Sequence, residues 1–273
     1  MKLAITSIQR NRGPWIVEWL AFHMMVGFNQ FYIYCHKCDD GQVETLLKLS
    51  QHYPIKVYGM ESDDKPQLAA YQHAWAHHKQ EVDWMAFIDG DEFLFSPSHA
   101  NIGDALAEFA GHPLSALGVY WVCYGSSGHM TDPGGLIVEK FTRHSDYSFL
   151  PNRHIKSIVR GRQDIEIVGS HLFATPNGTY DEQLRLLESP LLQDPAQAPS
   201  HARLRINHYV TQSYDFFKKT KQNMGAADIS PSAVRPDEWF HNHDRNECDD
   251  GMMYNFLIRL KLKVQELQAA LAA

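Results

Sequence analysis

Residues 84–94 read WMAFIDGDEFL, an apolar run that ends in four residues rich in acid, Asp89-Gly90-Asp91-Glu92. Side chains two residues apart in an extended segment point the same way, so Asp89 and Asp91 can face one ion. Carboxylate oxygens suit Mg²⁺ or Mn²⁺, which bind through one or two carboxylates together with substrate phosphates. The glycine at position 90 leaves room for a ligand. The stretch therefore predicts a metal site at the end of a buried strand. A cluster that only caps the next segment would explain one acid but not three.

The composition is that of a globular protein. The chain has 273 residues, of which 44% are hydrophobic and 21% are charged, enough for a large core. The net charge of −7 argues against nucleic-acid binding. The four cysteines do not make a disulfide framework. No apolar stretch reaches the ~18–20 residues of a membrane span, and residues 1–10 lack a signal-peptide pattern. We expect a cytoplasmic protein, with peripheral contact at the inner membrane face as an open alternative.

The first half of the chain alternates predicted strands and helices. Apolar and β-branched runs predict strands at residues 2–8, 28–35, 55–60 and 84–88, and helical spacing predicts helices that begin near 14, 43 and 66. Such alternation indicates an α/β fold, a Rossmann-like and mostly parallel sheet with helices on both faces. Ligands bind at the carboxyl ends of the strands in these sheets, which is where the acids lie.

The second half of the chain is less regular. Strand patterns occur at residues 116–124, 136–142, 154–160 and 203–210, and helix patterns near 102–109, 214–222 and 256–271. Residues 176–200 are rich in Pro, Gln and Asp and predict a long excursion over the surface. We therefore predict one domain with an irregular, mixed C-terminal half.

An ordered set of motifs carries a resemblance to a known family. The set comprises residues 15–23, Gly27 with 31–34, Asp40-Gly41, Gln67 with Ala70-Tyr71, residues 84–93, 125–129 and 156–159, and Asn207-His208-Tyr209 with Ser213. Over about residues 1–260 the chain resembles bacterial glycosyltransferases of the family 2-like type that are related to family 92. The aspartate motif alone would be unspecific, whereas the ordered set is considerably more specific.

The resemblance implies a GT-A fold that transfers a sugar from a nucleotide diphosphate donor. The donor expected is a UDP-sugar, the acceptor a glycan or lipid-linked glycan, and the outcome inversion at the anomeric carbon. Residues 1–125 would form the donor-binding half, and residues 126–273 the acceptor-binding half with the C-terminal helices. The chain departs from the family pattern at Asn11-Arg12, near the expected nucleotide pocket.

A metal, Mn²⁺ or Mg²⁺, is implied on the Asp-x-Asp motif. Its predicted ligands are Asp89, Asp91 and His208, because a histidine late in the chain often completes the coordination in such enzymes. His171 is the second candidate. The alternative for any one of the 16 histidines is a surface or packing role.

The resemblance also predicts contacts to the donor. They are Thr6, Arg10, Asp40, Gln67, Tyr71, Asp89, Gly90 and Lys156. Gln67 and Tyr71 lie one helical turn apart and so share a face, although helix polarity and a core aromatic explain them equally well. Lys156 could pair with the diphosphate as a point charge, or it could be a solvated lysine.

An inverting reaction needs a general base within hydrogen-bond reach of the acceptor hydroxyl. Asp250, in the acidic pair before the last helix, is the predicted catalytic residue, although that position is also good N-cap chemistry. Asp132 and Asp146 are alternatives.

Two other functions compete with glycosyl transfer. The apolar-Asp-Gly-Asp pattern resembles the nucleophilic motif of haloacid dehalogenase-like phosphatases, which would make the chain a phosphotransferase. That motif normally ends the first strand of its domain, whereas three strand–helix units precede it here. The third candidate is a non-catalytic nucleotide-sugar-binding protein.

Overall fold

The computed structural model describes residues 1–224 and 233–272 of the chain. Within those ranges its strands are β1 (Leu3–Gln9), β2 (Gln30–His36), β3 (Ile55–Met60), β4 (Trp84–Phe87), β5 (Glu92–Phe95), β6 (Ala116–Cys123), β7 (Arg143–His144), β8 (Ile155–Arg160), β9 (Thr179–Tyr180), β10 (Leu186–Leu187), β11 (Arg205–His208) and β12 (Cys248–Asp249). The helices are α1 (Gly13–Met25), α2 (Gln42–Leu49), α3 (Pro66–His78), α4 (Ile102–Ala107), α5 (Ile137–Lys140), α6 (Tyr214–Lys219), α7 (Asp237–His243) and α8 (Tyr254–Ala272). Single 3₁₀ turns occur at Leu150–Arg153 and Lys221–Asn223.

The first four strands form the parallel part of the main sheet, in the order β3-β2-β1-β4. Alternate residues of β1 enter two different cores. Leu3 and Ile5 belong to the core on the side of α1 and α8, whereas Ala4 belongs to the core on the side of α3. Helices therefore cover both faces of the sheet, which is why its strands are apolar along their whole length. The predicted α/β fold class is confirmed.

Proline and glycine set the ends of the helices, as the sequence predicts. Pro14 lies in the first turn of α1 and Pro66 begins α3, positions where a missing N–H costs nothing. Gly27 follows α1 with φ +116°, and a Cβ there would lie 2.4 Å from Oδ1 of Asn101. Only glycine fits this tight exit from the helix.

The second half extends the same sheet with mixed strand directions. β8 is antiparallel to both β4 and β6, and β11 runs parallel to β6. β5 leaves the main sheet and pairs antiparallel with β11. Since one sheet joins both halves of the chain, the predicted single domain is confirmed. The acidic turn lies between β4 and β5, where the chain leaves the main sheet.

Two predictions for the second half are wrong. Residues 136–142 were expected to form a strand, but the structure has helix α5 there, because the Glu18 carboxylate accepts hydrogen bonds from the N–H groups of Ile137 (2.7 Å) and Val138 (3.1 Å). The segment 176–200 is not merely a surface excursion. It contributes β9 and β10, and the buried Glu182 carboxylate accepts the N–H of Leu204 at 2.7 Å.

The last helix, α8, packs against α1 and closes the core of that face. Its buried residues are Phe256, Leu260, Val264 and Leu267, which recur at helical spacing. The helix predicted near residues 256–271 is confirmed. Among the described residues, no helix is long and apolar enough to cross a membrane.

Candidate functional site

The acidic turn is fixed by its own hydrogen bonds. The N–H of Glu92 donates to the carbonyl of Asp89 at 3.2 Å, and the N–H of Asp89 donates to Oε2 of Glu92 at 2.9 Å. A Cβ at position 90 would lie 2.8 Å from Cδ of Gln9, so the glycine allows the Gln9 side chain to pass close to the turn. Glu92 is fully buried, and burial raises its pKa well above the usual range. Glu92 therefore positions the backbone of Asp89 through its buried carboxyl group.

Asp89 and Asp91 line a cavity of about 240 Å³ at the carboxyl ends of β1 and β4. Among the lining residues that the structure describes, five side chains carry a positive charge: Arg10, Arg12, Lys156, Lys221 and Arg235. The two aspartates are the acidic lining residues in the same set. The surplus of positive charge makes this cavity suitable for an anion.

Asp89 is held from the side of β8 and α3. Its Oδ2 lies 2.9 Å from Nζ of Lys156, and its Oδ1 accepts a hydrogen bond from Nε2 of Gln67 at 2.6 Å. The hydroxyl of Tyr71 lies 3.5 Å from the same Oδ1. Burial, the largest single influence, opposes the charge on Asp89, but the attraction and hydrogen bond of Lys156 together with the other groups around the carboxylate outweigh it, and the pKa of Asp89 is lowered.

Asp91 is held by cations from two distant parts of the chain. Its Oδ2 lies 2.7 Å from Nζ of Lys221 and 3.2 Å from Nη2 of Arg12. Burial opposes the charge on Asp91, yet these two cations hold its pKa far below the usual range. Both carboxylates are therefore ionised at neutral pH.

Two histidines of the cavity are neutral. Burial lowers the pKa of His208 to about 3 and that of His171 to about 4. Nδ1 of His171 donates to the carbonyl of Ile155 at 2.7 Å, which leaves its Nε2 as the acceptor nitrogen. Both rings pack against Trp121, which also lines the cavity. Neutral imidazoles can serve as metal ligands or hydrogen-bond acceptors.

The side chains around Asp91 suit a divalent cation that draws part of its coordination from a substrate. Oδ1 of Asp91 lies 3.7 Å from Nε2 of His208, too far for a hydrogen bond, and Nδ1 of His208 is buried without a partner. A carboxylate oxygen and a neutral imidazole nitrogen are ligands that Mn²⁺ accepts. Within residues 1–224 and 233–272, no group of three or more His, Cys, Asp or Glu side chains is placed to hold an ion. Asp91 and His208 could therefore supply two ligands to a cation, and phosphate oxygens and water would complete its coordination.

The structure brings most of the predicted site residues to this cavity. The lining residues among them are Arg10, Gln67, Asp89, Gly90, Asp91, Lys156, His171 and His208. Tyr71 is fully buried beneath Asp89 and has no exposed surface for a donor. Thr6 is also fully buried, and its hydroxyl lies 3.2 Å from Sδ of Met85. Neither side chain lines the cavity, so their contacts with the donor stay a prediction, and in the structure both support the cavity from below.

Asp40 lies beside a second cavity, of about 340 Å³, which shares Arg10 and Met224 with the first. Its carboxylate accepts the N–H of Gly13 at 2.6 Å and that of Gln42 at 3.1 Å. Both carboxylate oxygens are thus engaged with the starts of α1 and α2. The carboxylate joins two helices, and the expected role of Asp40 as an acceptor for uracil or ribose stays a prediction.

Asp250, the predicted general base, does not line the cavity. Its Oδ2 accepts hydrogen bonds from the hydroxyl of Tyr124 at 2.7 Å and from Nη2 of Arg205. Its Oδ1 accepts the N–H of Met252 at 2.7 Å, two residues further on, in the turn that precedes α8. Burial opposes its charge, but Arg205 outweighs it, and the pKa of Asp250 is lowered. A carboxylate so engaged resembles a structural anion, and a catalytic role of Asp250 stays a prediction.

Three cationic residues of the cavity are absent from the sequence-based prediction. Arg12 belongs to the pair noted as a departure from the family pattern, which is the signal that could have found it. Lys221 and Arg235 follow α6 and precede α7. Nothing local in the sequence marks them, since only the tertiary fold brings them to the cavity.

Comparisons with known proteins identify the family. The model of "Glycosyltransferase family 92" matches residues 4–236. A family 92 protein of Arabidopsis thaliana is 27% identical over 269 residues, which cover 87% of this chain and 43% of the relative. One of Ricinus communis is 25% identical, covering 94% of this chain and 48% of the relative. The chain spans less than half the length of these curated relatives.

A solved structure is also similar. Residues 1–349 of TarS from S. aureus align with a TM-score of 0.38 at 18% identity, covering 59% of this chain and 47% of that one. The match of the family model, by contrast, extends from β1 to the residue before α7 and includes every cationic lining residue of the cavity. The chain belongs to glycosyltransferase family 92.

Proposed function

We propose that this protein transfers a sugar from a nucleotide diphosphate donor, a UDP-sugar, to a glycan or lipid-linked glycan acceptor with inversion at the anomeric carbon. The observation that carries the proposal is the cavity in which five cationic side chains surround Asp89 and Asp91. Membership of glycosyltransferase family 92 supports the class of reaction. The donor, the acceptor and the stereochemical outcome follow from the family resemblance.

The chemistry requires a diphosphate to leave. When the bond between the anomeric carbon and the phosphate oxygen breaks, negative charge builds on the diphosphate, and prearranged cations stabilise it. Lys156 and Lys221 are almost fully buried, so their charges act with little screening by water. Arg12 adds a planar guanidinium on the same side as Lys221. These groups would bind the donor through its phosphates and stabilise the leaving group.

A divalent cation, Mn²⁺ or Mg²⁺, belongs to the proposal. Asp91 and His208 would hold it, with Asp89 beside them. When bound, such an ion supplies Lewis-acid stabilisation of the leaving diphosphate. Gln67, Tyr71 and Glu92 keep Asp89 in one orientation through the contacts described above. The cytoplasmic location, the contact with a membrane face and the division into donor and acceptor halves stay predictions.

The phosphatase alternative receives less support from the geometry. Its nucleophile would be an aspartate of the motif, but Asp89 has both oxygens engaged by Gln67 and Lys156, and Asp91 is paired with two cations. An ionised carboxylate held in this way is a weak nucleophile. The non-catalytic alternative differs from the proposal only in turnover, so it is settled by an assay.

The test combines binding with turnover. A panel of nucleotide sugars is screened by thermal unfolding with and without Mn²⁺, because a ligand that binds the native state raises the melting temperature. At about 100 times its Kd, the correct donor should stabilise the protein by roughly 2.7 kcal/mol. Slow hydrolysis of that donor should require Mn²⁺ or Mg²⁺ and stop in EDTA.

Three outcomes would contradict parts of the proposal. Failure of every nucleotide sugar to raise the melting temperature would remove the donor assignment. Binding without hydrolysis or transfer to any glycan acceptor would favour the non-catalytic alternative. Full turnover in EDTA would remove the cation but leave the cationic side chains in their proposed role.

A further inference from the structure

We propose that Lys221 is an internal counter-ion of Asp91. Its ammonium group pairs with the Asp91 carboxylate in the ligand-free protein and moves to the donor diphosphate when cation and donor bind. The inference rests on the proposed function and adds to it a residue that pairs with Asp91 before the ligands bind and with the diphosphate afterwards. Its consequence is that Lys221 weakens cation binding in the absence of donor and strengthens donor binding in the presence of cation.

The contacts of Lys221 place its charge directly on the motif. Lys221 begins the 3₁₀ turn after α6, and its Nζ lies 2.7 Å from Oδ2 of Asp91. The same Nζ donates to the carbonyl of Val210. It also lies 5.7 Å from the ring centre of Trp239, within the range of a cation–π contact. The side chain is only 10% exposed, so the ammonium group belongs to the interior of the cavity.

Asp91 faces more positive charge than its own negative charge can balance. One oxygen, Oδ2, contacts both Lys221 and Arg12, so a single negative charge faces two positive ones. A divalent ion on Asp91 would add two further positive charges a few ångströms from Nζ. At such distances like charges repel each other, and burial reduces the screening of this repulsion by water. Lys221 and the cation therefore compete for Asp91.

Lys221, rather than Arg12, is the group able to move. A lysine ammonium is a point charge on a flexible stem, whereas a guanidinium is a planar fork. The Arg12 guanidinium lies over the ring of Phe216 at 5.4 Å, and its backbone N–H donates to Oε1 of Gln42 at 2.7 Å. Arg12 is thus fixed at both ends, while Lys221 can leave Asp91 by rotation of its side chain alone.

The main chain around Lys221 stays in place when the side chain moves. Nη1 of Arg235 donates to the carbonyl of Lys221 at 2.8 Å, and the N–H of Arg235 donates to the carbonyl of Gln222 at 2.8 Å. The Arg235 guanidinium lies 5.1 Å from the ring centre of Trp239. Lys221 and Arg235 line the same cavity, so a diphosphate in it lies within reach of the displaced ammonium.

The experiment compares Lys221→Met with Lys219→Met in the whole chain. Methionine keeps the length of the stem and removes the charge. Lys219, two residues before Lys221, is a matched control, since its side chain is 73% exposed and pairs with Asp215. Mn²⁺ binding without nucleotide is measured by titration calorimetry and by the Mn²⁺ EPR signal. UDP binding is then measured at saturating Mn²⁺.

For Lys221→Met we expect Mn²⁺ affinity without nucleotide to rise at least about fivefold, the lower end of typical coupling between sites. UDP affinity at saturating Mn²⁺ should fall by a similar factor. Lys219→Met should match the wild type in both measurements. Circular dichroism checks the fold, and Lys221→Gln replaces the methionine variant if that one does not fold.

Unchanged or weaker Mn²⁺ binding by a folded Lys221 variant overturns the inference while the wild type still binds Mn²⁺ and UDP, so the proposed function survives. A wild type that binds neither ligand removes the proposed function and the inference together. A structure with Mn²⁺ and UDP bound gives a check without substitution. Nζ of Lys221 still within about 3 Å of Asp91 Oδ2 there would contradict the displacement.

Discussion

Two buried clusters of opposite charges, both in the part of the chain that the structure describes, differ in charge balance although each contains an aspartate paired with an arginine. We call them the cavity cluster, made of Asp89, Asp91, Arg12, Lys156 and Lys221, and the closed cluster, made of Tyr124, His144, Arg205 and Asp250. In the cavity cluster three cations face two carboxylates. In the closed cluster one arginine faces one carboxylate, and the remaining partners are neutral.

The difference in charge balance separates a binding site from a structural ion pair. In the closed cluster the Asp250 carboxylate already has its partners, since it accepts hydrogen bonds from Tyr124 and Met252 as well as from Arg205. The cavity cluster retains surplus positive charge in a space that can admit a ligand. Burying surplus charge costs free energy, and a bound anion offsets that cost. Charge balance therefore points to function here better than the presence of acids alone.

The largest expected effect is that of Asp91→Asn on sugar transfer. The substitution keeps the shape of the side chain, removes the charge that Lys221 and Arg12 share, and weakens a ligand of the proposed cation. We expect the rate of transfer to fall by at least about 10²–10³-fold, the magnitude of losing one electrostatic contribution at a reacting centre. The rate is measured at saturating donor and Mn²⁺.

Asp215→Asn is the matched control for this variant. Asp215 is an exposed aspartate that pairs with Lys219, so the chemical change is the same outside the cavity. It should transfer sugar at the wild-type rate. Both variants should keep the wild-type circular dichroism spectrum. A folded Asp91→Asn protein with near wild-type turnover would break the distinction between the clusters.

The closed cluster should respond to Asp250→Asn with lost stability rather than lost chemistry. Arg205 is 2% exposed, and removal of its counter-charge leaves a buried cation without compensation. Such losses cost about 3–5 kcal/mol. We expect the free energy of unfolding in urea to fall by about that amount. Turnover per folded molecule should stay within roughly threefold of the wild type, well below the loss expected for a reacting group.

The neighbouring residue provides the control for Asp250. Asp249 pairs with Arg143 at 3.1 Å, but its side chain is 84% exposed. Asp249→Asn should therefore cost under about 1 kcal/mol. If Asp250→Asn instead abolished transfer in a protein of unchanged stability, Asp250 would be the general base after all. The ratio of lost turnover to lost stability thus distinguishes the two roles.

The sequence predicts the aspartates of the cavity cluster, but it does not predict the cations that pair with Asp91 and Asp250. Asp89 and Asp91 follow an apolar strand with period-two spacing, a local pattern that is readable without a fold. Their cationic partners are not readable in this way, because Lys221 lies 130 residues after Asp91. Asp250 has a sequence context as favourable as that of a catalytic acid. What makes it structural is Arg205, which is 45 residues away and buried.

The same reason explains which elements of the fold are predictable. The alternation of strands and helices up to β4 follows from local patterns and from Pro14 and Pro66. Helix α5 does not, since residues 136–142 have the apolar, β-branched composition of a strand. The carboxylate of Glu18, more than 100 residues earlier, accepts the first N–H groups of α5 and so determines the conformation. Tertiary contacts override local preference there.

Glu18 extends the comparison to a buried carboxyl group held by backbone N–H groups instead of a cation. Burial raises the pKa of Glu18 to about 7, although the hydrogen bonds from Ile137 and Val138 favour its ionised form. The aspartates of both clusters have lowered pKa values because cations outweigh burial. The stabilising contribution of protonated Glu18 is thus complete below pH 4.5, its value in the unfolded chain, and disappears as pH rises through 7.

The smallest of the three effects is therefore a pH-dependent difference between the wild type and Glu18→Gln. Glutamine stays uncharged, so the wild type should lose stability relative to the variant between about pH 5 and pH 8, by on the order of 2–3 kcal/mol. Urea unfolding of both proteins across this range measures the difference. The glutamine amide also changes the free energy of unfolding through its contacts with α5, but this change does not depend on pH. A flat difference would mean that Glu18 ionises in the folded protein as readily as in the unfolded one. Two backbone N–H groups would then offset the cost of burying the charge in full, whereas the cations around Asp91 do more than that and lower its pKa.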